Sequence, residues 1–337
     1  ELGTGAFGVV HRAVEKSTGR TFVAKFVNTP LPADKITVRQ EIGNMNNLSH
    51  NKLLKLHDAF EEKHEMILIM EYMSGGELFD RVASEDYKMT EAEVINYIRQ
   101  VCEALKHMHE NNMVHLDIKP ENILCETKKS TNVKLIDFGL ASKLDPEQVV
   151  KVTTATAEFA APETVDHEPV GFYTDMWAVG VLAYILLSGL SPFTGEDDVE
   201  TLGNVRKCDW DFDNDAFKGI SDLAKDFIRK LLVKVPQRRL TVHECLDHAW
   251  LSGDHADFSQ HRIPSSRYSK IRAKINAKYG DWPVPMPAIG RLANFSSLRK
   301  RRPKEHQMYD TFFDRREAFP RFVRKPHACI VQEGGVG

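Results

Sequence analysis

The run His115-Leu116-Asp117-Ile118-Lys119-Pro120-Glu121-Asn122 gathers acidic, basic and carboxamide side chains into one short stretch, and Asp137-Phe138-Gly139 follows 20 residues after Asp117. Ala161-Pro162-Glu163 comes next. Moving a phosphoryl group requires a base beside the attacking hydroxyl, hard oxygen ligands for a divalent cation, and positive charge along the phosphates. Asp117, Asn122 and Asp137 supply the oxygens; Lys119 and Lys25 supply the charge. Motifs in this order and spacing do not arise by chance.

Near the start of the sequence, Gly3-Thr4-Gly5-Ala6-Phe7-Gly8-Val9-Val10 is a glycine loop whose backbone amides can approach phosphate oxygens that a side chain would block. The same spacing serves dinucleotide-binding turns, where a helix follows. Here β-branched residues follow, and Lys25 lies 17 positions after Gly8, which favours a phosphate-covering hairpin; an ordinary glycine-rich hairpin stays open on the loop alone. Glu41 shares a predicted helix with Val38, Ile42, Met45 and Leu48, and its spacing turns it partly toward their buried face. A carboxylate there calls for a cation, for which Lys25 is the candidate. A boundary glutamate reaching solvent is the competing reading.

The elements that must hold these residues fall into two units. Residues 1–72 read mostly as strands, with one helix near Asp34 to Leu48, and from Glu77 onward helical periodicity dominates, interrupted by a loop-rich stretch from His115 to Glu163. Met73-Ser74-Gly75-Gly76 between them reads as a hinge. With 337 residues and 42% hydrophobic content the chain can bury one large or two smaller cores. Its longest apolar stretch, Trp177 to Leu190, falls short of the roughly 20 residues a membrane span needs and predicts a buried core helix. Five scattered cysteines without CxxC spacing fit reduced thiols in a cytosolic compartment. The abrupt start at Glu1, without a signal peptide, suggests a cut fragment.

The formal net charge of -3 hides an asymmetry: residues 1–252 carry 28 basic and 40 acidic groups, and residues 253–337 carry 17 and 8. The body is therefore -12 and the tail +9. A short helix is predicted at Ser266 to Tyr279, where Tyr268, Ile271, Ile275 and Tyr279 share a face and Gly280 ends it.

Taken together, residues 1 to about 252 resemble a protein kinase catalytic domain with complete motifs. The resemblance implies an α+β, bilobal fold, with a small β-rich N-lobe over 1–72 that binds ATP and a larger, mainly helical C-lobe over 73–252. It implies that Asp117 orients the substrate hydroxyl and accepts its proton, that Asn122 and Asp137 hold Mg2+, that Lys119 neutralises the transferring group, and that Lys25 and Glu41 form the ion pair on the phosphates. Thr156 occupies the place of the threonine that braces the catalytic aspartate in Ser/Thr kinases, and Lys119 belongs to the same pattern. Leu2, Gly3, Gly5 and Gly8 would cover the nucleotide. Val10, Val23, Met70 and Leu124 would line the adenine pocket, Glu71 and Met73 would bond adenine through their backbone, and Arg239 would pair with Glu163. Val23 stands where alanine is usual. Leu116 stands where many kinases carry an arginine that binds an activation-loop phosphate, which implies that Thr153 or Thr154 need not be phosphorylated.

By the same resemblance Glu77 and Glu121 select basic residues at the mouth of the cleft, Glu77 also serving the nucleotide. A negative cleft attracts a tethered cationic tail, whose effective concentration is on the order of millimolar. The expectation is that residues 253–318 lie in the cleft as an intramolecular inhibitor. Arg291, Leu292, Phe295, Leu298, Arg299, Lys300, Arg301 and Arg302 form a basic stretch with apolar anchors, similar to targets of calmodulin and related EF-hand calcium sensors. A solvated charge run, a nuclear-import-like cluster or a membrane-surface patch are its other readings. Residues 319–337 resemble the opening strand of an immunoglobulin-like domain. The whole pattern is similar to giant muscle kinases of the myosin light chain kinase group. It implies muscle filament protein substrates, a cytoplasmic, myofibrillar location, and neither nucleic-acid nor membrane partners. A catalytically weak scaffold or mechanical sensor is the alternative.

Overall fold

Alternating β-branched and aromatic residues up to Glu71 pair into one antiparallel sheet. The computed structural model describes residues 3–5, 8–84, 87–147, 149–152, 156–253, 262–263, 268 and 311–313. Strands β1 (Gly3–Gly5), β2 (Gly8–Glu15), β3 (Thr21–Asn28), β4 (Leu56–Glu61) and β5 (Glu65–Glu71) lie in the order β1-β2-β3-β5-β4. The β2–β3 turn closes through Glu15 N–H to Arg20 O at 2.9 Å, with Gly19 at φ 71°, a left-handed conformation that glycine adopts readily. In register, Val10 faces Lys25 and Lys25 faces Leu68, which places the lysine at the centre of the sheet.

Helix α1 (Pro32–Asn47) crosses between β3 and β4. It starts slightly before the predicted Asp34, because Pro32 suits a first helical turn and the Leu31 N–H donates to Asp34 Oδ2 at 2.9 Å. Val38 and Ile42 pack it on Val27, Met66 and Leu68.

The second unit runs through α2 (Leu78–Val82), β6 (Met89–Thr90), α3 (Glu91–Glu110), β7 (Met113–Val114), β8 (Ile123–Cys125), β9 (Val133–Leu135), β10 (Ser142–Lys143) and α4 (Pro162–Val165). It continues with α5 (Phe172–Ser188), α6 (Asp198–Lys207), α7 (Asp222–Leu231), α8 (Val242–Asp247) and α9 (Ala249–Ser252). Thr90 caps α3 reciprocally with Glu93: the threonine Oγ1 accepts from Glu93 N at 3.3 Å, and Glu93 Oε2 accepts from Thr90 N at 2.9 Å. Helix α5 is the core helix the apolar run predicts. It is buried from Thr174 to Ser188 and stops at Gly189, φ 71°.

The connector between the units owes its glycines to contact more than to looseness. A β-carbon on Gly75 would lie 2.5 Å from Cys125 O, and Gly76 adopts φ 78°. The hinge is therefore a fitted crossing over β8.

Three described pieces of the expected tail touch the two units. Strand β11 (Arg262–Ile263) pairs antiparallel with β6. Tyr268 is helical and buried; its hydroxyl donates to Leu186 O and its ring meets Phe79 edge-on at 6.4 Å. Strand β12 (Thr311–Phe313) runs parallel to β2, with Thr311 opposite Ala13. The remainder of the predicted helix at 266–279, including Ile271 and Ile275, lies outside the described residues, as do Leu2, Thr153, Thr154, Arg291, Leu292, Phe295, Leu298, the Arg299 to Arg302 run and residues 319–337. Among the described residues, Cys102, Cys125, Cys208 and Cys245 are free thiols, and no helix is long and apolar enough to cross a membrane.

Candidate active site

Lys25 on β3 and Glu41 on α1 meet as the helix spacing predicts: Lys25 Nζ lies 3.3 Å from Glu41 Oε1, with both side chains buried. Burial pushes the Glu41 carboxyl up from an ordinary 4.5 to about 7; the Lys25 charge opposes this and the Asp137 charge adds to it.

The catalytic loop is held from beneath by α5. Asp175 Oδ2 accepts the His115 N–H at 2.9 Å, and Oδ1 accepts the Leu116 N–H at 2.8 Å. Oδ2 also lies 2.9 Å from His109 Nε2 on α3. These bonds hold Leu116 at φ 65°, a left-handed conformation that costs a leucine about 1 kcal/mol. The bend presents Asp117. Its two carboxylate oxygens each accept from Lys119 Nζ at 2.8 Å, and Oδ2 accepts from Asn122 Nδ2 at 2.7 Å. Burial works to lower the Lys119 ammonium, but the charges of Asp117 and Glu121 outweigh it and raise the group to about 12, so it stays cationic.

The β8–β9 hairpin brings the second carboxylate in. Ile123 faces Leu135, and Ile136 N–H donates to Asn122 O at 2.9 Å, so Asn122 and Asp137 are adjacent across the hairpin mouth. Asp137 sits at φ 65° with its Oδ1 accepting from Gly139 N at 3.1 Å, while the rings of His115 and Phe138 lie 5.7 Å apart. Burial and then the Asp117 charge raise the Asp137 carboxyl; Lys25 and Lys119 only partly compensate. The Asp137 carboxylate, only partly offset by cations, beside a carboxamide whose nitrogen is spent on Asp117 makes a donor set of hard oxygens that fits Mg2+. Among the described residues no three His, Cys, Asp or Glu cluster into a ready-made metal cage.

Val10, Val23, Met70, Met73 and Leu124 are all buried in one apolar cluster on the sheet side of this site. The Glu71 N–H is bonded to Lys55 O at 3.1 Å, so an adenine contact there falls to its carbonyl. Asp117, Thr156, Phe159, Ala160, Thr164 and Ala178 line one small cavity, which puts Thr156 beside the aspartate it is expected to brace. Glu77 and Glu121 are buried, 1% and 5% exposed, rather than solvated at an open mouth. Glu163 receives Arg239 through two 2.8 Å bonds, as expected. Sequence reading assigned no role to the Asp175 carboxylate, to Asn44 on α1 or to the Glu71 side chain. Each acts on partners distant in sequence, and only the buried polar position of Asp175 within an apolar helix could have drawn attention to it.

This fold and this site define the protein kinase class, of the serine/threonine kind. A family model for the protein kinase domain matches residues 1–251, and the chain belongs to that family. It is similar to a solved twitchin kinase fragment of C. elegans, described as autoregulated protein kinase and immunoglobulin domains, at 61% identity and TM-score 0.84 over 94% of this chain and 71% of that one. It is 45% identical over 329 residues to a titin homolog of Caenorhabditis elegans, covering 95% of this chain and 2% of the relative. It is 51% identical over 251 residues to human myosin light chain kinase 3, covering 74% of this chain and 31% of the relative. The chain thus spans about a third or less of these two relatives' lengths.

Proposed function

We propose that the chain transfers the γ-phosphoryl group of ATP to serine or threonine hydroxyls in basic protein segments. The observation that carries this reading is the convergence of Lys119 and Asn122 on Asp117, each within 2.8 Å of its carboxylate, with Asp137 across the β8–β9 mouth and the Lys25–Glu41 pair above. Asp117 takes the substrate hydroxyl's proton at a carboxylate oxygen, and Lys119 holds that carboxylate and offsets charge on the moving group. Lys25, kept in place by Glu41, orients the phosphates. Asn122 and Asp137 would hold Mg2+, which when bound neutralises phosphate charge. Thr156 braces Asp117. Val10, Val23, Met70 and Leu124 take the adenine, with the backbone of Glu71 and Met73. Asp117→Asn, assayed with labelled ATP and a basic serine peptide, should lose at least about a hundredfold in kcat. An unchanged rate would assign the activity elsewhere.

Residues 253–318 act on this reading as the enzyme's own inhibitor, followed by an immunoglobulin-like segment at 319–337. The burial of Tyr268 against Phe79, on the helix that follows Glu77, supports it, as does the burial of Glu77 and Glu121. So does the autoregulated kinase named for the similar twitchin fragment. Release by calmodulin or a related EF-hand sensor binding the basic, apolar-anchored 291–302 stretch, and a muscle filament setting, complete the proposal; the similarity to myosin light chain kinase 3 and the titin homolog supports the setting. Chain ending at residue 253 should phosphorylate the peptide faster than the whole chain, and equal rates would remove the inhibitory role. Titrating a calcium-loaded sensor onto a peptide of residues 288–302 tests the release step.

A further inference from the structure

Asn44 is an unusual residue for the interior of α1. Its short amide competes with the helix backbone and lowers helix propensity. It lies one turn beyond Glu41 on the same side, and its side chain is half-buried and turned toward the start of the activation segment. Nδ2 donates to Ala141 O at 2.8 Å and to Phe138 O at 3.3 Å. Both partners are carbonyls, so only the NH2 end of the amide can face them, which settles its orientation. Those carbonyls close one turn: Ala141 N–H returns to Phe138 O at 3.2 Å, and Gly139 N–H donates to Asp137 Oδ1. A single neutral side chain therefore ties α1 to the turn that begins at Asp137.

We infer that Asn44 is a positioning residue for phosphoryl transfer, coupling the placement of α1, and with it Glu41, to that of the Asp137-Phe138-Gly139 turn. This rests on the kinase reading of the site. Besides its apolar packing and the Lys35 and Arg39 bonds to Glu61, the helix carries two links toward the site that lie one turn apart and differ in kind. The ion pair from Glu41 reaches up to β3 and depends on charge; the amide bonds from Asn44 reach down to the C-lobe and do not. Moving α1 away breaks both together, so the lysine that orients the phosphates and the aspartate proposed to hold the cation leave their positions as one event. No other α1 residue supplies a side-chain hydrogen bond to residues 138–141 among the described bonds.

The test uses the whole 337-residue chain. Asn44→Leu keeps the size and removes both donors, and Asn44→Asp keeps the shape and opposes two carbonyls with acceptors. Two readouts are taken beside the melting temperature: amide hydrogen exchange at Gly139 and Ala141, and the Mg2+ concentration giving half-maximal binding of a fluorescent ADP. Loss of the two bonds should speed exchange at both amides about fivefold or more and raise the Mg2+ requirement by a similar factor, with Asn44→Asp the more affected. Glu41→Gln combined with Asn44→Leu should deviate from the product of the single effects. Unchanged exchange at both amides in both variants overturns the inference, as does a Mg2+ requirement that does not move. If neither the whole chain nor chain ending at residue 253, which lacks the proposed inhibitor, binds Mg–ADP, the kinase reading is what fails, and the exchange measurement alone decides the role of Asn44.

Discussion

Lys134 Nζ lies 2.7 and 2.8 Å from the two carboxylate oxygens of Glu71, so the strand leading to Asp137 is pinned to the last residue of β5. Glu71 Oε1 also accepts the Lys55 N–H at 2.8 Å. The two lobes are thus joined behind the proposed nucleotide site by one partly buried carboxylate that takes three bonds from two donors. Glu71→Ala leaves an ammonium and a backbone N–H without that acceptor, and should cost about 1–3 kcal/mol of stability. Because the same residue's carbonyl is proposed to contact adenine, KM for ATP should rise more than KM for peptide. Thermal unfolding and the two KM values check this; equal stability and an unmoved ATP KM would show that the contact holds nothing.

Glu41 links stability and activity to pH in opposite directions. Its carboxyl in the folded chain, at about 7, stands above its ordinary 4.5, so the native state binds the proton more tightly than the unfolded state. The stability this contributes is fully present below about 4.5 and is lost as pH rises through about 7. The ion pair with Lys25 needs the ionised form, so the wild-type rate should fall as pH drops below about 7. Urea unfolding between about pH 4.5 and about pH 8 should show a decline in stability that Glu41→Gln flattens. Parallel curves for the two proteins would remove Glu41 as the source.

Arg239 and Glu163 are both buried, and their bidentate bonds are joined by Thr174 Oγ1 to Glu163 at 2.9 Å, Arg239 to Tyr173 O at 2.9 Å, and Arg239 over the Trp177 ring at 4.8 Å. Arg239→Met strands a buried carboxylate and should cost about 3–5 kcal/mol. Replacing both partners, Arg239→Met with Glu163→Gln, should cost less than Arg239→Met alone. Denaturant midpoints of the three variants test that ordering, and a double variant weaker than the single would contradict it.

The residues of the proposed site that the structure brings together were legible because phosphoryl transfer would fix their types and because each motif is short enough for its spacing to be local. The α5 core helix and the α1 position of Glu41 followed from periodicity for the same reason. What escaped was set by long-range pairing. Asn44 reaches residues 94 and 97 positions away, and Lys134 reaches Glu71 over 63; no local pattern marks either. The segment read as a hinge, Met73 to Gly76, does lie between β5 and α2, but looseness does not explain its glycines. Gly75 and Gly76 answer to a neighbouring strand and a positive φ, which appear only once β8 is in place.

The charge split between body and tail makes the proposed inhibition testable by salt. At about 0.1 M ionic strength exposed charges are screened beyond about 10 Å, so a +9 segment held to a -12 body by charge alone should be released as salt rises. Ile263 and Tyr268 are 1% and 0% exposed, however, and burial of such side chains is not weakened by screening. The near part of the tail should therefore stay seated while the distal basic part loosens, giving partial activation that levels off. Tyr268→Ala removes the buried ring and its bond to Leu186 O, and should convert that plateau into full release at high salt. Peptide phosphorylation by the whole chain and by Tyr268→Ala, each compared with chain ending at residue 253 at the same salt, separates the two contributions. An inhibition that ignores salt in both proteins would mean the tail is held by packing throughout, and the charge asymmetry would then need another cause.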